Sequence, residues 1–113
     1  MPRTPKNPPL TEEDRRRRKE AGAWLKACRE ARDMSQVEVS NLLDYKYYTV
    51  ISAWERGEAI VPIDQYESIA ALYRIPVPQL VRKLTGLYSP EAARLYRLAY
   101  SKDAAHDSNR ISK

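Results

Sequence analysis

The sequence predicts an all-α protein with one compact domain and flanking tails. Apolar residues recur every three or four positions in successive segments, which is the spacing of helices with one buried side. Helix-start signals precede these segments, and glycine or proline follows them. The length of 113 residues suits a single domain. Twenty basic residues against 15 acidic ones give a net charge of +5, which favours a polyanionic partner.

The composition argues against several classes of function. A single cysteine cannot form an intramolecular disulfide, so a reducing, cytoplasmic compartment is expected. One histidine and one cysteine do not provide a zinc site within one chain. No apolar run approaches the length of a membrane span, and no nucleophile–base pair or phosphate-binding loop is visible. We therefore expect no membrane contact, no metal, no cofactor and no enzymatic activity.

Residues 1–10 are expected to form a basic, proline-rich arm outside the domain. Four prolines among the first nine residues prevent a helix and favour an extended chain. Two interpretations stay open. The arm is either a disordered tail or a basic segment that follows the DNA backbone or enters a minor groove.

The first helix is predicted from its N-cap at Thr11, which three acidic residues follow, to about Arg32. Its inward face carries Ala21, Leu25 and Cys28 at positions i, i+4 and i+7. Cys28 is interpreted as a core residue and not as a nucleophile, because no histidine lies near it in sequence and burial suppresses thiol reactivity.

Residues 35–57 predict two short helices joined by a tight turn. The first begins with a capping box formed by Ser35 and Glu38. Two helices this short need a third surface to pack on. The end of the second is marked by Gly57. The apolar residues at helical spacing are Val39, Leu42 and Leu43 in the first helix and Val50, Ile51 and Trp54 in the second.

The same stretch resembles the helix-turn-helix of the phage repressor and Cro family, also called Xre-like regulators. The resemblance rests on Ser35-Gln36 at the start of the first helix and on Ile51 and Trp54-Glu55-Arg56-Gly57 at the end of the second. It extends from about Gly22 to Leu84. The resemblance implies a five-helix lambda-repressor-like DNA-binding domain over residues 11–86, in a cytoplasmic protein of bacterial or phage origin.

The resemblance further implies that the second motif helix, about Tyr48 to Arg56, lies in the major groove of double-stranded DNA. Two departures affect how this helix is aimed. The turn around residues 45–47 is one residue longer than the usual family pattern, and Asp44 stands where the family usually has a small residue, often glycine.

The residues that contact DNA are inferred by carrying the family pattern over from Trp54. None of the base-contacting positions is Arg, Asn or Gln, so readout is expected through apolar contact, water and DNA shape. For Tyr45, Tyr47 and Tyr48 an alternative stays open, in which they cover the edge of the core. The expected base contacts are Tyr48, Thr49 and Ala53, with Ser52 and Val50 nearby, and the expected phosphate contacts are Gln36, Lys46, Tyr47 and Arg56.

A structural ion pair is also implied by the resemblance, between Arg29 of the first helix and Glu55. Loss of either partner would leave a desolvated charge. The loop after Gly57 departs from the family, which commonly has Lys or Arg there. In this chain the loop is acidic and apolar, and Ile60 and Val61 are interpreted as packed down or as a contact patch for another protein.

The remaining chain predicts three more helices. A fourth spans Ile63 to Tyr73 with Ile63, Tyr66, Ile69, Ala70 and Tyr73 on one face. An extended joint at residues 75–78 follows, and then a fifth helix from Gln79 to Thr85. Ser89-Pro90-Glu91 opens an additional C-terminal helix within residues 87–100. Its apolar side is expected to carry Leu95, Leu98 and Ala99, joined by Tyr88, Tyr96 and Tyr100. Residues 101–113 are expected to be a flexible tail.

The function predicted is a sequence-specific transcriptional regulator, a repressor that binds a palindromic operator as a homodimer through the fifth or the C-terminal helix. Two alternatives stay open. One is an antitoxin that binds a toxin through Ile60-Val61 or the C-terminal helix. The other is a protein-interaction module that has lost DNA binding, suggested by the acidic loop after Gly57 and by the second motif helix, which is poor in residues that read bases.

Overall fold

The computed structural model describes residues 9–95 and 97–99, and every regular element in these residues is helical. The predicted all-α class is therefore confirmed. The expectations for the arm at residues 1–8, for Tyr96 and Tyr100, and for the tail at 101–113 lie outside the described residues. The elements are α1 (Glu12–Ala31), α2 (Gln36–Leu42), α3 (Thr49–Arg56), a 3-10 turn (Ile63–Gln65), α4 (Tyr66–Tyr73) and α5 (Val77–Tyr88), and residues 90–95 and 97–99 are also helical.

The first helix begins where the sequence predicts. The Thr11 hydroxyl accepts a hydrogen bond from the Asp14 backbone N–H at 3.0 Å, and the Asp14 carboxylate accepts one from the Thr11 backbone N–H at 3.0 Å. These bonds form a capping box that satisfies N–H groups without helical partners. They also hold the pKa of Asp14 below its usual range, chiefly through the bond from the Thr11 backbone.

The core forms around α1, which packs against α3, α4 and α5. The helix buries Ala21 and Leu25, as its apolar spacing predicts. Cys28 is half-buried against this core, and burial raises the pKa of its thiol. The other buried apolar residues of the core are Val39, Ile51, Trp54, Val61, Tyr66, Ile69, Ala70, Tyr73, Leu80 and Leu84.

Two glycines allow α1 to lie directly on the end of α3. A Cβ atom on Gly22 would lie 2.3 Å from the backbone carbonyl oxygen of Glu55. Gly57 ends α3 with a φ of 76°, and a Cβ atom there would lie 2.8 Å from the backbone nitrogen of Lys19. Side chains at either position would push the two helices apart. The helix stop at Gly57 was predicted from the sequence, whereas the close contact at Gly22 was not predicted.

The start of the fourth helix was predicted incorrectly. Residues Ile63–Gln65 form a 3-10 turn, and α4 begins only at Tyr66. A 3-10 turn has three residues per turn, so it shifts the angular position of the residues before the α-helix. Ile63, expected on the inward face, is therefore 75% exposed, and Val61 is buried in its place.

The fifth helix is longer than predicted at both ends. It runs from Val77 to Tyr88, so Val77 and Pro78 are helical and do not belong to an extended joint. Proline is tolerated in the first turn because its missing N–H would have no helical partner there. Tyr88, expected in the C-terminal helix, ends α5, and its hydroxyl accepts a hydrogen bond from the Val61 backbone N–H at 3.3 Å.

Leu42 belongs to the apolar pattern of α2 in the sequence, but in the structure it is 62% exposed at the end of that helix. Val39 is buried, and Leu43, four positions later, packs against the core as a partly buried residue. A helix of two turns presents only a narrow stripe to its neighbours, and Leu42 falls outside it.

Candidate nucleic-acid interface

One buried carboxylate connects the first three helices. The Glu55 side chain on α3 is 3% exposed. It accepts hydrogen bonds from Arg29 Nε at 2.7 Å, from Arg29 Nη2 at 2.9 Å and from Gln36 Nε2 at 2.9 Å. Arg29 lies on α1 and Gln36 begins α2, so α3 is held against both. The hydrogen bonds to Glu55 raise the pKa of Arg29 above its ordinary value.

The Arg29–Glu55 pair expected from the resemblance is thus present as two parallel hydrogen bonds. Arg29 also donates through Nη1 to the backbone carbonyl of Met34 at 2.7 Å, which fixes the connection between α1 and α2. Gln36, expected at a phosphate, has its amide nitrogen bound to Glu55 and remains half-exposed at the start of α2.

The start of α2 has the predicted capping box. The Ser35 hydroxyl accepts from the Glu38 backbone N–H, and the Glu38 carboxylate accepts from the Ser35 backbone N–H, both at 3.0 Å. The helix ends at Leu42, and Asp44 then adopts a left-handed conformation with a φ of 63°. This conformation explains why a small residue is usual at the position of Asp44, since glycine adopts it without steric cost.

The three turn tyrosines have different environments. The edge of the Tyr45 ring packs on Trp54, with centroids 5.6 Å apart and planes at 80°, so Tyr45 covers the core as the alternative interpretation held. Tyr47 and Tyr48 are 61% and 50% exposed, and the Nζ atom of Lys46 lies 5.5 Å from the Tyr47 ring centroid. Lys46, Tyr47 and Tyr48 are therefore accessible to a partner, whereas Tyr45 is half-buried.

The outward face of α3 carries Thr49, Ala53 and Arg56 at helical positions i, i+4 and i+7. Thr49 and Arg56 are exposed, and Ala53 is half-exposed. Tyr48 is the N-cap residue of α3, which agrees with the predicted start at about this residue. An exposed N-cap followed by an outward stripe gives α3 one continuous face that a large partner can contact.

Two of the five expected base-contacting residues do not lie on this face. Ser52 is only 8% exposed, and its hydroxyl accepts a hydrogen bond from Arg56 Nη1. Val50 is half-buried against the core. Burial of these side chains conflicts with direct contact to bases, because a base edge needs an accessible group.

Arg56 is bound within the protein by a residue of the following loop. Its Nε donates to Glu58 Oε1 at 3.0 Å and its Nη2 to Glu58 Oε2 at 2.9 Å. The bidentate contact raises the pKa of Arg56 and lowers the pKa of Glu58. The sequence showed that this loop is acidic, but not that its carboxylate would meet the expected phosphate contact.

The rest of the loop separates into buried and exposed apolar residues. Val61 is buried, so it cannot belong to an apolar contact patch. Ile60 and Ile63 are exposed and lie on either side of it in sequence. The apolar side chains that remain accessible after α3 are therefore Ile60 and Ile63, and Val61 is not among them.

Comparison with known proteins agrees with this geometry. Residues 25–80 match the model of a protein family described as helix-turn-helix. A search of curated proteins gives no match for the chain. Within residues 9–95 and 97–99, no helix has the length and apolar character to cross a membrane, and no group of three or more His, Cys, Asp or Glu side chains could hold a metal ion.

Proposed function

The chain belongs, through residues 25–80, to the helix-turn-helix family of Xre and lambda-repressor-like DNA-binding regulators, and we propose that it is a sequence-specific transcriptional repressor. In this proposal α3 enters the major groove of a palindromic operator, and two copies bind with their α3 helices about one DNA turn apart. The observation that carries the proposal is the outward face of α3, fixed to α1 and α2 through Glu55.

The exposed residues at the start and on the outward face of α3 can form only a few hydrogen bonds to base edges in the major groove. The hydroxyl groups of Tyr48 and Thr49 each offer one hydrogen bond to a base edge, and the Thr49 methyl and Ala53 can pack on a thymine methyl. No bidentate donor lies among them. We therefore expect specificity to come largely from water-mediated contacts and DNA shape, and phosphate contacts from Gln36, Lys46, Tyr47 and Arg56 to fix the position of α3.

The homodimer in this proposal forms through the C-terminal helical residues or through α5. Leu95 and Leu98 are exposed on the helical residues after α5, and Val77 is exposed at its start. Apolar side chains that remain exposed on short helices favour burial against another surface. A second copy of the chain supplies that surface and doubles the DNA contact.

A second candidate function is binding of a protein partner, as an antitoxin or as an interaction module without DNA binding. The exposed Ile60 and Ile63 beside α3 support the antitoxin, and the internal pairing of Arg56 with Glu58 supports loss of DNA binding. The interaction module predicts that Thr49, on the outward face of α3, is dispensable for recognising DNA. The antitoxin keeps DNA binding by the same fold and differs from the repressor by co-purifying with a second small protein.

The experiment compares DNA binding of the full chain and two variants of equal charge. We would measure the affinity of the three proteins for two sets of DNA fragments at two salt concentrations. One set comes from upstream of the protein's own gene, and the other consists of shuffled fragments of equal base composition. Thr49→Arg adds one positive charge on α3, and Glu67→Gln removes one negative charge from an exposed site on α4. We expect one fragment to be preferred by the wild type and by Glu67→Gln, and that preference to be lost in Thr49→Arg.

Equal binding to all fragments by all three proteins would contradict sequence-specific recognition. The interaction module that has lost DNA binding would then be preferred.

A further inference from the structure

The Arg56 side chain has hydrogen-bond partners at every nitrogen of its guanidinium group. Nε and Nη2 bind the two oxygens of Glu58, and Nη1 donates to the Ser52 hydroxyl. Arginine recognises phosphate through the same bidentate geometry. Three of its five N–H donors are thereby used, and the Nε–Nη2 edge, which can hold a phosphate by two parallel bonds, is already bound to a carboxylate of the protein.

The position of Glu58 follows from the way α3 ends. Gly57 is left-handed, and the chain turns so that the Glu58 backbone N–H donates to the carbonyl of Ala53 at 3.0 Å. This is the bond pattern of a Schellman helix end. Because the backbone on both sides is fixed, the side chains of Arg56 and Glu58 are directed towards each other.

The pair lies on the part of the molecule that we assign to DNA. Arg56 shares the outward face of α3 with Thr49 and Ala53, and its pKa is also raised by the nearby phenol of Tyr48. The side chains of Arg56 and Glu58 are 55% and 62% exposed, so a phosphate can approach both of them.

We propose that Glu58 is an internal competitor of DNA, which binds Arg56 and so withholds one phosphate contact from the DNA-binding face. This inference rests on the proposed function and deepens it. Exposed ion pairs are weak, so the competition moderates DNA affinity and does not abolish it. An added effect of Glu58 is repulsion of phosphates, and the two effects are separable because only the competition requires Arg56.

The test is a double-mutant cycle on DNA affinity. Glu58→Gln keeps the size of the side chain and removes its charge, and Arg56→Gln removes the cation. The wild type, both single variants, the double variant and the control Glu67→Gln are titrated onto a random-sequence duplex of fixed length at several salt concentrations. A random duplex is sufficient because phosphate contacts do not depend on base sequence.

The expected result is an affinity for Glu58→Gln that is about two- to fivefold higher than that of the wild type. The slope of log affinity against log salt should steepen by about 0.9, the value for one additional phosphate contact. Both changes should vanish when Arg56→Gln is also present. Glu67→Gln, with the same net charge, should produce neither of them.

An equal gain in affinity from Glu58→Gln with and without Arg56 would overturn the proposal, because repulsion alone would explain it. A gain no larger than that of Glu67→Gln would overturn it as well. If no protein in the set binds the duplex, both the competition and the proposed function are contradicted. If the cycle behaves as expected but no upstream fragment is preferred, only the sequence-specific function fails.

Discussion

At the scale of single residues, Glu55 differs from the other carboxylates that form ion pairs in the described part of the chain, because its side chain is almost completely buried. Its pair with Arg29 is desolvated, whereas Glu13 pairs with Arg16 in an exposed position. We expect Arg29→Met to lower the free energy of unfolding by about 3–5 kcal/mol, because it leaves a buried charge without its main partner. Glu13→Gln should change it by less than about 1 kcal/mol. Chemical denaturation measures both.

Neutralising Glu55 tests whether its unpaired charge causes the loss of stability in Arg29→Met. If the buried charge is responsible, Glu55→Gln added to Arg29→Met should recover part of the lost stability. No recovery would mean that the loss comes from packing alone.

Asp44 gives a second prediction at the scale of residues. Its left-handed backbone is strained for a residue with a Cβ atom, and the side chain is exposed. Asp44→Gly should therefore raise the free energy of unfolding by about 0.5–1 kcal/mol, and Asp44→Val should lower it because a β-branched residue fits this region poorly. Thermal unfolding of the two variants should show shifts of opposite sign. Shifts of the same sign would contradict this explanation.

At the scale of elements, the face of α3 that we propose for DNA is held in place by the close approach of α1 to α3. Gly22→Ala places a Cβ atom against the backbone of Glu55 and should lower the free energy of unfolding by about 2 kcal/mol or more. Gly86→Ala is the matched control, because nothing lies within 4 Å of a Cβ atom there. That control should be neutral or stabilising by up to about 1 kcal/mol, since alanine favours the helix. Equal effects of the two substitutions would contradict the close contact.

The helices themselves were largely predictable because their starts and stops are local signals. The N-cap at Thr11, the capping box at Ser35 and the stop at Gly57 depend on residues close together in the chain, which the sequence shows directly. Errors arose where backbone geometry depends on distant contacts. Ile63 lies in a 3-10 turn and is exposed, while Val61 is buried and its backbone N–H donates to the hydroxyl of Tyr88, 27 residues later. No local sequence pattern indicates this contact.

The candidate site was predictable only in part for the same reason. The exposure of Tyr48 and Thr49 follows from the phase of α3. The pairing of Arg56 with Glu58 depends on how the chain turns at Gly57, and the burial of Ser52 depends on how α3 packs in the fold. The role of Gly22 was missed because close approach of two helices is a property of their packing. A glycine in the middle of a predicted helix is the one signal that could have revealed it.

At the scale of the whole molecule, the core contains tyrosines whose phenol groups are shielded from water. Burial raises the pKa of Tyr66 to about 12 and also raises those of Tyr73 and Tyr88. Above about pH 10 the unfolded chain loses these protons while the folded chain keeps them. The unfolded state then binds fewer protons, so stability should fall as the pH rises.

The measurement is urea denaturation between about pH 9 and about pH 11. The slope from each such tyrosine is small at pH 9 and approaches about 1.4 kcal/mol per pH unit once the pH exceeds the unfolded pKa of about 10. Tyr66→Phe removes one titrating group and should make the fall shallower. A stability that stays constant across this range, or a slope unchanged in the variant, would contradict the burial of this phenol.

Nuclear magnetic resonance tests most directly whether the outward face of α3 contacts DNA, as we propose. The full chain, labelled with ¹⁵N, is titrated with a duplex enriched from a random-sequence pool, and changes in the backbone amide signals are mapped onto the helices. We predict the largest changes at Tyr48, Thr49, Ala53 and Arg56 and little change at Gly86. Changes confined to the surface of Ile60 and Ile63, or an absence of changes on α3, would contradict the claim.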